Sequence, residues 1–165
     1  MGRQRFERGP LTRRVVGCEL HRGLDDDNGH VVATARGERC LDEAVAYTKE
    51  RKQFGTAIAN FQVLQHRMVD MFMNVEQSVS MTYMATIKLE ESDAERAKAV
   101  SAAKVRIGRA CKFVGQNAIQ IHGGMGMTDE LAVSHYFKRA SMIEQLFGGV
   151  DYHLNRYESL DLAAA

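Results

Sequence analysis

Proline occurs once in this chain and tryptophan not at all. No Pro- or Ser-rich tract and no internal repeat is present, which excludes low-complexity and repeat architectures. Cysteine is scarce as well. Cys18, Cys40 and Cys111 are odd in number, far apart and without a CxxC pair. That argues against a disulfide framework or a cysteine zinc site and favours a reducing, cytoplasmic setting. No apolar run approaches membrane-spanning length and no signal-peptide core is present, so no membrane partner is expected. Charge of one sign is also missing. Lys and Arg number 22 against 21 Asp and Glu, a formal net charge of +1. No global field therefore points to nucleic acid or to acidic partners.

What remains is enough for one domain with a real core: 165 residues, 45% of them hydrophobic, a length too short for two ordinary domains. Nine Met against 7% aromatic residues point to a helical interior filled by flexible side chains.

Residues 1–33 differ from the rest. Arg3, Arg5, Arg8, Arg13, Arg14 and Arg22 face only Glu7 and Glu19, and Asp25-Asp26-Asp27-Asn28-Gly29 follows. No period of 3.6 or 2 is sustained there. An irregular basic arm is expected, with room for a short strand near Val15-Val16 or Val31-Val32. It has no aromatics at useful spacing, so nucleic-acid binding is not expected of it.

The second expected unit, residues 34–165, is helical. Leu41, Ala44, Val45 and Thr48 share one face of a first helix ending near Gln53. A second helix opens near Asn60 and runs to about Glu90. Its stripe is Phe61, Leu64, Met68, Met71, Phe72, Val75, Val79 and Tyr83. Ser92 and Glu95 have capping-box spacing and start a third helix. There the stripe is Val100, Ala103, Ile107, Ala110, Cys111, Val114, Ala118 and Ile121. Gln120-Ile121-His122-Gly123-Gly124-Met125-Gly126 stops that helix. Thr128 is a good N-cap for the next, with Asp129 and Glu130 in the turn where the helix dipole favours negative charge. Gly148-Gly149 ends the fourth helix near Phe147, and a short fifth segment runs from Asp151 to about Leu162. Four substantial helices with short connections predict an all-α, antiparallel up-down four-helix bundle.

Bare glycine N–H groups at a turn can face an anion or a ligand close to the main chain, and an interhelical loop needs the same residues. His66, His135 and His153 have no second ligand at metal spacing, so no metal is expected.

Two features at fixed separation go beyond a generic bundle. One is Glu50-Arg51-Lys52-Gln53-Phe54-Gly55 followed by Phe61-Gln62-x-Leu64-Gln65-His66, and the other is the Gln120-to-Gly126 run. The ordered set resembles the C-terminal helical domain of the FAD-dependent acyl-CoA dehydrogenases, over residues 36–157. The resemblance implies that Arg51 reaches the FAD pyrophosphate of a neighbouring subunit, a task suited to a planar, permanent cation. It implies that Phe54-Gly55 is the turn placing that arginine, and that Gln62 lies near the cofactor. Gln120, Gly123 and Gly124 match the loop at the adenosine end, and His122 lies within that loop. Spacing alone would equally let Arg51 pair with Glu50 or Glu43, and would leave Gln62 a polar residue of a first helical turn.

The reaction implied is α,β-dehydrogenation of an acyl-CoA thioester. In many members the base is the Glu of a Glu-Gly-Thr turn after the fourth helix. This chain reads Leu146-Phe147-Gly148-Gly149-Val150-Asp151-Tyr152-His153-Leu154, with no Glu in that turn. Asp151, Glu144 and a residue outside the chain all remain open as the base, so no catalytic residue is assigned. A full family member also has a further helical domain and a β-domain ahead of the bundle. The expectation is therefore a domain needing those parts in trans, in a homo-oligomer or with a related dehydrogenase subunit. The alternative is a non-catalytic helical subunit that associates with a full-length dehydrogenase.

Overall fold

The computed structural model describes residues 25–162. The basic arm up to residue 24, Val15-Val16, Cys18 and the last three alanines lie outside the described residues. The elements are α1 (Asp25–Glu50), β1 (Lys52–Gln53), β2 (Thr56–Ala57), α2 (Gln62–Ile87), α3 (Asp93–His122), α4 (Ala132–Gln145) and α5 (Val150–Leu162). Short 3₁₀ turns at Ile58–Asn60, Lys88–Glu90 and Gly123–Met127 lie between them.

The bundle is all-α and antiparallel, as the helical periods predict. Thr34 meets Thr82, and Thr48 meets Met68, so α1 and α2 run in opposite directions. Arg106 reaches Asn74, Lys104 reaches Ile143, and His153 reaches Ser101. Helix α3 is thereby antiparallel to α2, α4 and α5 and forms the centre. Among the described residues no helix is long and apolar enough to cross a membrane.

Helix α3 follows its sequence closely. All eight residues of its expected stripe are buried, and the Ser92 side chain accepts the Glu95 N–H at 3.4 Å. Removing that cap by Ser92→Ala is expected to cost about 1 kcal/mol, measured by urea unfolding followed by far-UV circular dichroism. A variant as stable as the parent would contradict the cap's role.

Three expectations need correction. Helix α1 already runs from Asp25, so residues 25–33 are helical rather than part of an irregular arm, and Val31-Val32 is not a strand. Tertiary contacts hold the helix where that stretch ends. Ala33 and Thr34 are buried, Cys111 Sγ donates to Ala33 O at 3.2 Å, and the Thr34 and Thr82 hydroxyls lie 3.1 Å apart. On α2 the buried line is Met71, Val75, Ser78, Thr82 and Ala85, while Phe72 is 47% exposed. Ser78 and Thr82 return their hydroxyls to the carbonyls of Asn74 and Ser78 at 2.8 and 2.9 Å. Satisfied in this way, these small side chains take the tight interhelical positions and turn Phe72 outward. Finally, Thr128 does not cap α4, whose N-cap is Leu131. Its hydroxyl instead donates to Met125 O at 2.9 Å, closing the 3₁₀ turn.

The core has two clusters. Cys40, Ala44, Met71, Val75, Val114 and Ala118 fill one; Ala33, Ala103, Ile107, Cys111, Ala140 and Ile143 fill the other.

Candidate functional site

The up-down topology brings the C-terminus of α1, the N-terminus of α2 and the C-terminus of α3 to one end of the bundle. Arg51, Phe54, Gln62, Gln120, Gly123 and Gly124 all lie at that end, and all six are exposed.

Phe54 sits at the tip of a small hairpin that Arg51 immediately precedes, and Gln62 opens α2. Lys52 pairs with Ala57 and Gln53 with Thr56, leaving Phe54-Gly55 as a two-residue turn with φ of 56° and 81°. Positive φ at both central positions suits the twist of a hairpin, and glycine takes it freely while phenylalanine does not. The hairpin is tied down on several sides. Ile58 N–H donates to Arg51 O at 2.9 Å, Asn60 Nδ2 to Thr56 Oγ1 at 2.6 Å, and Gln65 Nε2 to Ala59 O at 2.9 Å. The Phe54 ring stands edge-on to Phe61, with centroids 6.1 Å apart, yet Phe54 is 92% exposed. The strained, braced backbone thus holds a large apolar ring in water.

Arg51 is exposed, and among the described residues its guanidinium makes no ion pair with Glu43, Glu50 or any other carboxylate. The pairing its sequence spacing allows does not form.

The three glycines of the α3–α4 connection divide by physical cause. Gly123 ends α3 with φ 61° and needs left-handed freedom. Gly126 is buried, and a Cβ there would stand 2.7 Å from Ile119 O. Gly124 has no left-handed φ, and a Cβ on it would meet nothing within 4 Å. Nothing in the described chain requires residue 124 to be glycine.

Tyr47 and His122 form a strut beneath this surface that the sequence did not reveal. Their ring centroids are 4.4 Å apart, joining the last turns of α1 and α3. His122 is buried and its Nδ1–H donates to Ala118 O at 2.7 Å. It therefore serves the interior and not the exposed loop. A histidine followed by two glycines gives no sequence signal for that inward turn.

The fold is an all-α helical domain, and this end of the bundle exposes a cation, an aromatic ring and an open glycine loop. Residues 29–157 match the family description "Acyl-CoA dehydrogenase, C-terminal domain". The chain belongs to the acyl-CoA dehydrogenase family, through that domain. It is 34% identical over 140 residues to acyl-CoA dehydrogenase IpdE2 of Mycolicibacterium smegmatis, covering 83% of this chain and 43% of that one. Its fold superposes on butyryl-CoA dehydrogenase of Megasphaera elsdenii with a TM-score of 0.78 and 26% identity, covering 83% of this chain and 36% of that one. A FAD complex of PigA gives a TM-score of 0.73 at 27% identity, covering 81% of this chain and 35% of that one. The chain thus spans less than half the length of each of these three.

Proposed function

We propose that this chain acts as the C-terminal domain of a FAD-dependent acyl-CoA dehydrogenase, and that its exposed end is half of a flavin-nucleotide site completed by another polypeptide. Gly124 carries the reading. It is a glycine that the described chain does not need, in open space on a loop at the same end of the bundle as Arg51 and Phe54. A ligand that approaches the main chain closely supplies the missing reason.

The residues present fit FAD. Arg51 would pair with the pyrophosphate, for which its planar fork is suited. Phe54 would offer an apolar face, Gln62 and Gln120 amide hydrogen bonds, and Gly123-Gly124 the main-chain approach at the adenosine end. When bound, FAD would accept the β-hydrogen of an acyl-CoA thioester as hydride while a carboxylate removes the α-proton. This chain's part is to orient the cofactor across a subunit boundary. The same reading carries a homo-oligomer, or a hetero-oligomer with a related dehydrogenase subunit, in a cytoplasmic setting.

Titrating FAD into the purified chain, and into the chain co-expressed with a dehydrogenase polypeptide, tests it. Arg51→Ala is expected to weaken FAD binding about 10- to 100-fold, the range for loss of a charged hydrogen-bonding partner. Gly124→Val is expected to weaken binding while leaving the melting temperature unchanged. FAD affinity indifferent to both substitutions would refute the proposal. Turnover of an acyl-CoA by the chain alone, with an artificial electron acceptor, would refute the need for the other domains.

The turn without a carboxylate at residues 148–149 favours a second reading, a non-catalytic helical subunit paired with a full-length dehydrogenase. Activity of such a complex that survives Asp151→Asn and Glu144→Gln would support it; activity abolished by either would place the base here.

A further inference from the structure

Arg51 and the glycine loop follow different helices, and one pair of side chains joins the segments that carry them. Tyr47 lies one helical turn before Arg51, and its carbonyl accepts the Arg51 N–H at 2.9 Å. The Arg51 carbonyl accepts the Ile58 N–H, also at 2.9 Å. Both main-chain groups of Arg51 are thus engaged, one by α1 and one by the chain leaving the hairpin.

His122 has the matching place at the end of α3. It directly precedes Gly123-Gly124, and the loop folds back against it. A Cβ on Gly126 would stand 3.1 Å from His122 Cβ. Thr128 closes the turn by donating its N–H and its hydroxyl to Met125 O at 3.2 and 2.9 Å. The imidazole, 5% exposed, is fixed by its bond to Ala118 O. Its face meets the Tyr47 ring with the two planes 31° from parallel. Among the described residues no other pair of rings joins α1 to α3.

Two rings in contact have a preferred separation and tilt, so this pair defines a geometry that flexible aliphatic side chains would not. That geometry matters for a ligand held at two points. A cation on one segment and main chain on another both contribute only when they stand at the spacing the ligand spans.

Resting on the flavin-nucleotide reading above, we infer that Tyr47 and His122 are positioning residues. Their stacked rings hold Arg51 and the Gly123-Gly124 loop at the spacing FAD bridges, from beneath the surface. What the pair transmits is position. A change at the end of α3 reaches Arg51 through Tyr47, and a change at Tyr47 reaches the glycine loop through His122.

Peptide-resolved hydrogen exchange on the full chain without cofactor tests the strut itself. His122→Ala is expected to speed exchange about tenfold over residues 51–58, which lie across the strut from the substitution. Tyr47→Ala should do the same over residues 123–128. Tyr47→Phe and His122→Phe keep a stacked pair and should return both segments to the parent's rates. Ile107→Ala, a truncation in the other core cluster, controls for lost stability and should not single out either segment. FAD titration then reads the spacing. Arg51→Ala should weaken binding about 10- to 100-fold in the parent, but less than about threefold in the His122→Ala background, where the cation has lost its place. In the His122→Phe background the full effect should return. Exchange over residues 51–58 that ignores His122→Ala, or an Arg51→Ala effect of equal size in all backgrounds, would overturn the inference while the flavin reading stands. Exchange that couples the two segments, with FAD affinity indifferent to Arg51→Ala in the parent, would refute the flavin reading and the positioning role with it.

Discussion

Lys104→Met is expected to lower the unfolding free energy by about 3 kcal/mol, the cost of separating a buried charged donor from its acceptors. Lys104 is 6% exposed, and its ammonium donates to Ile143 O at 2.8 Å and Leu146 O at 2.7 Å. Those carbonyls lie in the last turn and at the C-cap of α4, where a helix leaves acceptors without intrahelical partners and carries partial negative charge. A single side chain from α3 therefore caps α4 and fixes the start of the α4–α5 turn. Methionine keeps much of the stem's packing and removes the donor. Lys104→Arg is not expected to restore stability, because the planar guanidinium is larger than the ammonium and sits in a close-packed crevice. Lys104→Glu should be worse than methionine, since it sets a carboxylate against two carbonyl oxygens. Urea unfolding followed by circular dichroism measures the loss. Hydrogen exchange should accelerate first over residues 143–149. A loss below about 1 kcal/mol for Lys104→Met, with exchange there unchanged, would show that Lys104 does not hold this turn.

Alkali is expected to destabilise the protein through Cys40 and Cys111. Burial pushes both thiols up from 9.0 to about 12. At Cys40, Arg36 opposes the shift and Glu43 adds to it; at Cys111, Cys40 and Glu144 add to it and Lys104 opposes it. The folded state keeps these protons while the unfolded chain releases them near pH 9. The stability held by the neutral thiols is therefore complete below about pH 9 and is lost progressively as pH rises toward about 12. At pH 10 the loss is about 1.4 kcal/mol for each thiol, or about 3 kcal/mol for the pair. Other groups also titrate in this range, so the measurement is a difference between parent and the Cys40→Ala, Cys111→Ala variant. Their unfolding free energies should converge between pH 8 and 11, or cross there. Parallel pH profiles would contradict the prediction. By the same shift, peptide-resolved alkylation at pH 8 should label both thiols roughly 1,000-fold more slowly than free cysteine.

Much of the fold was legible residue by residue. The α3 stripe from Val100 to Ile121 was readable because its eight small and branched apolar residues recur at helical spacing on a helix that contacts every other helix. Ser92 was readable because capping is local: the side chain and the N–H it accepts from lie three residues apart. The candidate site stood out in the sequence only as a set of residue types. Arg51, Phe54-Gly55, Gln62 and the glycine loop stood out by order and separation, and the family match over residues 29–157 agrees with the resemblance they carry.

The start of α1 was not legible, because residues 25–33 carry no periodic pattern of their own, and the contacts that hold the helix at Ala33 and Thr34 come from α2 and α3. Thr128 was misread because a hydroxyl followed by two acids has the chemistry of an N-cap, while its actual acceptor is a carbonyl three residues back. Nothing local distinguishes Lys104 or His153 from surface residues. Each is buried because another helix presents a partner: carbonyls from the end of α4 for Lys104, and Phe147 O with Ser101 Oγ for His153.

The sequence by itself determined that this protein is an all-α bundle with a stop at each glycine cluster, because helical period, capping and glycine freedom act over three or four residues. Only the tertiary structure decided which side chains became the surface of the exposed end and which became its supports. It turned His122 inward onto Tyr47, left Arg51 unpaired, separated Gly124 from the glycines the chain needs, and filled the place beside Gly148 with Tyr152. Those outcomes depend on contacts between residues far apart in the chain. Their geometry exists only once the helices have packed.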